Sequence, residues 1–168
     1  MSAPAPSSEP ETAPLTEADV SVDEVRWTTG PTHREYPPAD IVTVTGIRAT
    51  PQEGFDRFIV DLTGDAFPTH HAEMTTGPAI QCGSGEPVSL LGRAVLTFRI
   101  EPAQAHDDAG ASTLPARDLQ TNPAALLETR LICDFEGQVE WAFGLANPTA
   151  YRILELTAPR RIVIDIQH

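Results

Sequence analysis

The chain has 168 residues and a formal net charge of -13, and all 11 of its basic residues are arginine. Nucleic acids and anionic membranes bind clustered basic patches, so this composition argues against both as partners. No apolar run approaches the roughly 18 residues that a transmembrane helix needs. The length is that of one domain with a tail.

The N-terminal stretch Met1–Glu24 is rich in Pro, Ala, Ser, Thr and Glu, and it carries six acidic residues and no basic one. It buries too little apolar surface to offset the entropy of ordering, which predicts a disordered tether over residues 1–28 and a folded domain over residues 29–168. It lacks the basic and apolar regions of a signal peptide, so we expect a chain that is either cytoplasmic or trimmed of its export signal. In Val25–Asp40, prolines exclude a regular helix, and docking of Trp27 on the domain is one alternative for this residue.

From residue 41 onward, apolar and polar residues alternate in short runs bounded by turn residues. Period-two alternation of β-branched and aromatic residues is typical of half-buried strands. The run Thr69–Met74 is more polar than the others and is predicted to lie at a sheet edge. The predicted strands, in chain order, are Ile41–Ala49, Phe55–Thr63, Thr69–Met74, Pro87–Leu91, Val95–Ile100, Glu128–Phe135, Gln138–Leu145, Tyr151–Leu156 and Arg161–Ile166.

Other segments break this alternation. Asn122 followed by Pro123 fits a helix N-cap with proline at the first helical position, which predicts a short helix over Pro123–Leu127. Ala103–Thr113 is a polar loop, and Gly77–Gly85 is a loop that carries a cysteine.

About nine short strands with turn signals every eight to twelve residues or so predict an all-β fold, a β-sandwich of mostly antiparallel strands. One apolar stripe per strand gives a core that is adequate without a cofactor or a metal ion. The residues predicted to face inward by parity include Phe58, Val60, Leu62, Leu96, Phe98, Ile100, Val139, Trp141, Phe143, Leu145, Ile162, Ile164 and Ile166.

Cys82 and Cys133 are the only cysteines, and neither has a His or Cys at zinc-ligand spacing. The residues leave two alternatives open. The first is that both are buried free thiols, because cysteine packs well as a small hydrophobe. A disulfide between them would instead require an oxidising compartment and would close a loop of about 52 residues.

No histidine, serine or carboxylate shows the spacing of a catalytic triad or a metal site. The best local cluster is His106-Asp107-Asp108, for which a calcium or proton-transfer role competes with that of a solvated acidic loop. We favour the acidic loop, because the alternating oxygen ligands of a calcium loop are absent.

Asp134 and Glu136 are predicted to point to the same face at a strand-to-strand turn. Two such carboxylates would suit general acid and base catalysis or the binding of sugar hydroxyls. We favour a structural turn, in which Glu136 accepts backbone hydrogen bonds or pairs with an arginine, with Arg57 as the candidate partner. Trp27 and Tyr36, together with His70 and His71, are the predicted exposed aromatic contacts if a glycan or a peptide is bound.

Four blocks of sequence resemble the AMIN-like domain of actinobacterial envelope lipoproteins, and the resemblance runs from about Thr29 to the last residue. The closing LTAPRRIVIDI is also similar to the end of AMIN domains proper, which accompany peptidoglycan amidases and secretins. The four blocks are GFDRFIVDLTG at Gly54–Gly64, GSGEPVSLLGRAVLTFRIEPAQAHD at Gly83–Asp107, DFEGQVEWAFGL at Asp134–Leu145, and YRILELTAPRRIVIDIQH at Tyr151–His168.

The resemblance implies a β-sandwich outside the cytoplasm, held by a lipid-anchored precursor whose signal peptide and lipobox cysteine are absent from this sequence. It implies a non-catalytic role in binding or localising to cell-wall glycan such as peptidoglycan, and it favours the Cys82–Cys133 disulfide. The alternatives are a protein-interaction module of an envelope complex that uses the edge strand Thr69–Met74, and a glycan hydrolase that uses Asp134 and Glu136. The residues that match recurring family blocks are Asp56, Arg57, Asp134, Glu136 and His106.

Overall fold

The structure, a computed structural model, describes residues 26–120 and 124–168. Within these ranges the chain forms thirteen strands and no helix. In chain order the strands are β1 (Thr32–Arg34), β2 (Val42–Pro51), β3 (Phe55–Leu62), β4 (Thr69–Thr75), β5 (Ala79–Ile80), β6 (Pro87–Val88), β7 (Ala94–Glu101), β8 (Ala103–Gln104), β9 (Leu119–Gln120), β10 (Leu126–Phe135), β11 (Gln138–Leu145), β12 (Tyr151–Thr157) and β13 (Arg160–Gln167).

Two sheets contain most of these strands. The first has the order β1-β4-β7-β11-β10-β9, and the second has the order β12-β13-β3-β2-β8. Strands β5 and β6 form a separate small pair, and the pairing of β2 with β8 is parallel. The all-β sandwich is therefore confirmed. The number of strands exceeds the predicted nine because β1, β5, β8 and β9, each of two or three residues, are too short to show alternation.

The core lies between the two sheets and consists of the stripes that parity predicts. Phe58, Phe98, Trp141 and Phe143 are all fully buried. The rings of Phe58 and Phe143 make an edge contact across the sheets, with centroids 4.8 Å apart. Burial of each such side chain contributes about 1.5–3 kcal/mol, so this layer is the main source of stability. Trp141 is thus a core residue, as its parity predicts.

The predicted helix over Pro123–Leu127 is wrong where the structure describes it. Residue 124 and Ala125 form a bend, and Leu126 already begins β10. The backbone N–H groups of Ala125 and Leu126 donate to Oδ2 of Asp56, at 2.7 and 2.9 Å. A buried carboxylate on β3 therefore takes the donors, and the fully buried Leu126 joins the sheet. Pro123 itself lies outside the described residues.

The prediction that Thr69–Met74 is an edge strand is also wrong. Its strand, β4, lies between β1 and β7 in the first sheet. The edge is formed by β1, which pairs antiparallel with β4 and sets Arg34 opposite His70. Because β1 comes from the proline-containing segment 25–40, its three residues gave no strand pattern of their own.

A disulfide joins Cys82 to Cys133, whose Cα atoms are 5.2 Å apart. It links the loop between β5 and β6 to β10 in the first sheet. The same loop is held by the backbone N–H of Cys82, which donates to the carbonyl of Ile132 at 3.1 Å. The pairing is the one that the family resemblance implies.

Replacing both cysteines, as Cys82→Ser with Cys133→Ser, is expected to lower the free energy of unfolding by about 4 kcal/mol, because the bridge restricts a long loop in the unfolded chain. Urea unfolding with and without reductant measures this. Reductant should lower the midpoint of the wild type and leave the double variant unchanged. Two alkylated thiols in the unreduced wild type would contradict the pairing.

Candidate functional site

A buried carboxylate, Glu155, lies where the edges β1 and β12 of the two sheets face each other. It sits on the inward face of β12, and only 4% of its surface is exposed. Nε2 of His70 lies 3.0 Å from one of its oxygens, and the hydroxyl of Tyr36 donates to the other. The guanidinium of Arg34 is 3.7 Å away. Three side chains from β1, β4 and the segment after β1 thus converge on one acid.

The charge of Glu155 is maintained by these neighbours. Burial by itself raises the pKa of a carboxyl group, since water no longer solvates the anion. Hydrogen bonds from His70 and Tyr36, with the positive charge of Arg34, outweigh that effect and hold the pKa of Glu155 below its ordinary value of 4.5. Glu155 is therefore an anion at neutral pH, and it orders the residues around it.

An open groove of about 880 Å³ runs beside this cluster. Tyr36 lines it, and the backbone N–H of Tyr36 is fixed by the hydroxyl of Thr69 at 2.9 Å. The groove combines three carboxylates with apolar surface and an aromatic ring. Its lining residues are His33, Glu35, Tyr36, Pro38, Ala39, Ile41, Thr69, Glu101, Pro102, Glu136 and Gly137.

The turn between β10 and β11 supplies one wall of the groove. Glu136 and Gly137 both have positive φ, at 50° and 78°, as a tight hairpin turn requires. The carbonyl of Gly137 accepts a hydrogen bond from the N–H of Ala103 at 2.8 Å, which holds the turn next to Pro102. Among residues 26–120 and 124–168, no side chain pairs with the Glu136 carboxylate, which is exposed.

The structure brings some of the predicted site residues together and separates others. Tyr36 and Glu136, which are 100 positions apart in the sequence, line the same groove. Asp134 does not join them, because its Oδ1 accepts from the N–H of Ala105 at 3.0 Å and from Nδ1 of His106 at 2.9 Å. Asp134 and His106 therefore anchor the loop after β8.

The expected pairing of Arg57 with Glu136 is wrong. Arg57 makes two hydrogen bonds, at 2.7 and 2.9 Å, to Asp165 on the neighbouring strand β13. Asp165 also accepts from Nε of Arg152 at 2.8 Å and is fully buried. The alternation of residues predicts the correct face of β3 for Arg57, but the carboxylate that pairs with Arg57 can be identified only once the neighbouring strand is known.

Two other residues that were predicted to be exposed aromatic contacts, Trp27 and His70, pack against other side chains of the domain. Trp27 lies under the guanidinium of Arg152, 4.5 Å from the ring centroid, so it docks on the domain. Its ring also meets that of Phe55, with centroids 6.0 Å apart. His70 is wrong as an exposed contact, because only 3% of its surface is accessible. His71, half-buried on the opposite face of β4, lies beside His33.

Sequence reasoning missed Glu155 and the arginines near it. The signal was present, because Glu155 occupies an inward position between Ile153 and the turn at 158–159. A carboxylate at a core position needs hydrogen-bond partners, but its partners Tyr36 and His70 are 119 and 85 positions away in the sequence. Which strands flank it was not evident from the sequence.

The family model of the AMIN-like domain matches residues 42–168, more than half of the chain. The chain belongs to the AMIN-like domain family. This family consists of extracytoplasmic modules of the cell envelope, generally binding domains rather than catalysts. No curated protein and no solved structure matches the chain.

No helix in residues 26–120 and 124–168 combines the length and the apolar character needed to cross a membrane. The same part of the chain contains no group of three or more His, Cys, Asp or Glu side chains arranged to hold a metal ion.

Glu155→Gln is expected to change how stability depends on pH. Because the pKa of Glu155 is lower in the folded than in the unfolded chain, its stabilisation is complete above the unfolded value and is lost as the pH falls through the folded value. The variant should lose roughly 2 kcal/mol at neutral pH through its weaker hydrogen bonds, and less on acidification.

Thermal unfolding of wild type and variant between about pH 7 and pH 3 measures the difference. Glu53→Gln, at an exposed position between β2 and β3, is the matched control and should follow the wild type. Parallel curves for Glu155→Gln and the wild type would show that the buried acid does not contribute to the pH dependence.

Proposed function

We propose that this AMIN-like domain binds cell-wall glycan, such as peptidoglycan, in the groove beside Tyr36, and that it thereby localises its protein within the envelope. The observation that carries the proposal is the composition of the groove. Glu35, Glu101 and Glu136 are anionic acceptors, and sugar hydroxyls are donors. Charge-assisted hydrogen bonds of this kind are roughly twice as strong as neutral ones.

The apolar part of the groove supports the same ligand class. Tyr36, Pro38 and Ile41 offer flat or apolar surface next to the acids, and Ile41 is 53% exposed. Sugars present both apolar C–H faces and hydroxyl edges, so mixed surfaces of this kind suit them. A groove with three carboxylates repels polyanions, which favours the uncharged sugar backbone over an anionic wall polymer.

A glycan hydrolase is less well supported by the same geometry. Paired catalytic carboxylates act on one bond and must face a common cleft. Asp134 is only 7% exposed and is engaged by His106 and the N–H of Ala105, whereas Glu136 is exposed on the turn. Binding without turnover is therefore the function we propose.

Sedimentation with purified peptidoglycan tests the proposal. The wild type should be retained at moderate salt, and the double variant Glu101→Gln with Glu136→Gln should bind at least about tenfold more weakly, since two charged acceptors are removed. The matched control is Glu53→Gln with Glu86→Gln. It removes the same charge from exposed residues outside the groove and should bind as the wild type does.

Two results would contradict the proposal. If the wild type stays in the supernatant, the domain does not bind this glycan. If the wild type and both double variants are retained equally, glycan binds elsewhere on the surface.

We also propose that the domain is the ectodomain of a lipoprotein. The resemblance to actinobacterial envelope lipoproteins supports this, and so does the composition of Met1–Glu24, which suits a spacer between an anchor and a domain. Incorporation of a labelled fatty acid into the cellular form of the protein checks it. A protein that is released from cells without the label would exclude the anchor.

A further inference from the structure

A second cavity, of about 460 Å³, lies between β1 and β12 on the other side of His33 from the groove. Among residues 26–120 and 124–168, three arginines and two histidines line it, and no acidic residue does. This wall is unusual in a chain of net charge -13. We call it the arginine pocket. The residues that carry its chemistry are Arg26, Arg34, Arg152, His33, His70 and Ile153.

Two of the arginines are oriented by carboxylates behind the wall. Arg152 donates from Nε to Asp165 at 2.8 Å, and its guanidinium packs over the ring of Trp27. Arg34 lies 3.7 Å from Glu155. Since both acids are at most 4% exposed, they fix the guanidinium groups without occupying the cavity.

Arg26 differs from the other two. No carboxylate in the described part of the chain lies within ion-pair distance of it, and its side chain is exposed at the mouth of the cavity. Glu155 is set against Arg34, whereas Asp165 is shared between Arg57 and Arg152, so Arg26 and part of the charge of Arg152 are not balanced by a carboxylate in the described part of the chain. This excess positive charge calls for an anionic group on the ligand.

The other residues of the cavity wall indicate what kind of molecule carries the anionic group of the ligand. Pro31 and Ile153 are apolar, and the volume leaves room for one or two small residues beyond the anion. The pocket borders β1, the edge strand of the first sheet, along which an extended peptide lies most readily. We propose that the arginine pocket binds the terminal carboxylate of a short peptide through the planar guanidinium of Arg26.

The arginine pocket and the groove share only His33 among their lining residues and differ in the sign of their charge, so peptide binding in the pocket can be tested separately from glycan binding in the groove. Two sources offer a terminal peptide carboxylate: the stem peptides of the cell wall and the C-termini of envelope proteins. The first end in D-residues and the second in L-residues, so the configuration of the probe separates them.

The full chain, labelled with ¹⁵N, is titrated with N-acetyl-D-Ala-D-Ala, with N-acetyl-L-Ala-L-Ala and with the C-terminal amide of each. Saturable shifts at pocket residues such as Thr32 and Ile153 are expected for at least one acid and neither amide. The configuration that binds more tightly identifies the source. Inorganic phosphate is a third arm, and tighter binding of phosphate than of either acid would overturn the assignment to a carboxylate.

Arg26→Gln should weaken binding of the preferred acid about tenfold, since it removes a charge-assisted hydrogen bond. Arg26→Lys should fall between the two, because it keeps the charge and loses the planar fork. The matched control is Arg117→Gln, which changes the net charge equally at an exposed position before β9, at the opposite edge of the first sheet. No shift with either acid, equal shifts with acid and amide, or equal losses in Arg26→Gln and Arg117→Gln would refute the proposal.

Discussion

The arrangement of this domain around its cavities depends on one buried carboxylate, Asp165. It receives three hydrogen bonds from Arg57 and Arg152, so it ties β3, β13 and β12 together on the face of the second sheet that is turned away from the core. Removing one partner from such a buried group typically costs 3–5 kcal/mol or so, whereas an apolar replacement of the whole set is often neutral. The network therefore determines geometry more than stability. Through Arg152 it reaches Trp27 and brings the segment before β1 against the domain.

Glu155 plays the corresponding part on the inward side of β12. Its bonds to His70 and Tyr36 hold β4 and the segment after β1 in a fixed relation to the second sheet. Ion pairs and hydrogen bonds thus hold the two sheets together near the edge strands β1 and β12, whereas apolar packing holds them together at the centre. The two acids also explain how a strongly acidic chain presents a cationic cavity. They lie behind Arg34 and Arg152 and orient them, and neither acid is among the residues that line the cavity.

Alternation in the sequence was sufficient to predict the sandwich, its core and the face on which each residue of β3, β7, β11 and β13 lies, because parity is a local property. It was not sufficient for strand order. The polarity of Thr69–Met74 predicted an edge strand, whereas the three-residue strand β1 covers it, and the acid that pairs with Arg57 is Asp165, 108 positions away. The predicted helix failed for the same reason, since Asp56 captures the N–H groups of Ala125 and Leu126 from a distant strand. Site residues that depend on which strands are neighbours, such as Glu155 and Arg34, were therefore missed.

The two cavities favour recognition over catalysis for a physical reason. Catalysis at neutral pH generally needs an acid or base with a shifted pKa that remains free to exchange a proton with a substrate. Here Glu155, whose pKa is lowered, is buried and fully engaged, and Asp134 is engaged by His106. Burial raises the pKa of Glu140, but this residue accepts a hydrogen bond from Gln138 and is not among the residues that line either cavity. The groups that face the groove and the pocket, Glu136 and Arg26, are instead exposed charges of opposite sign. Surfaces of opposite sign on either side of His33 suit a ligand with a neutral, hydroxyl-rich part and an anionic part, which is the chemistry of a glycan that carries peptides.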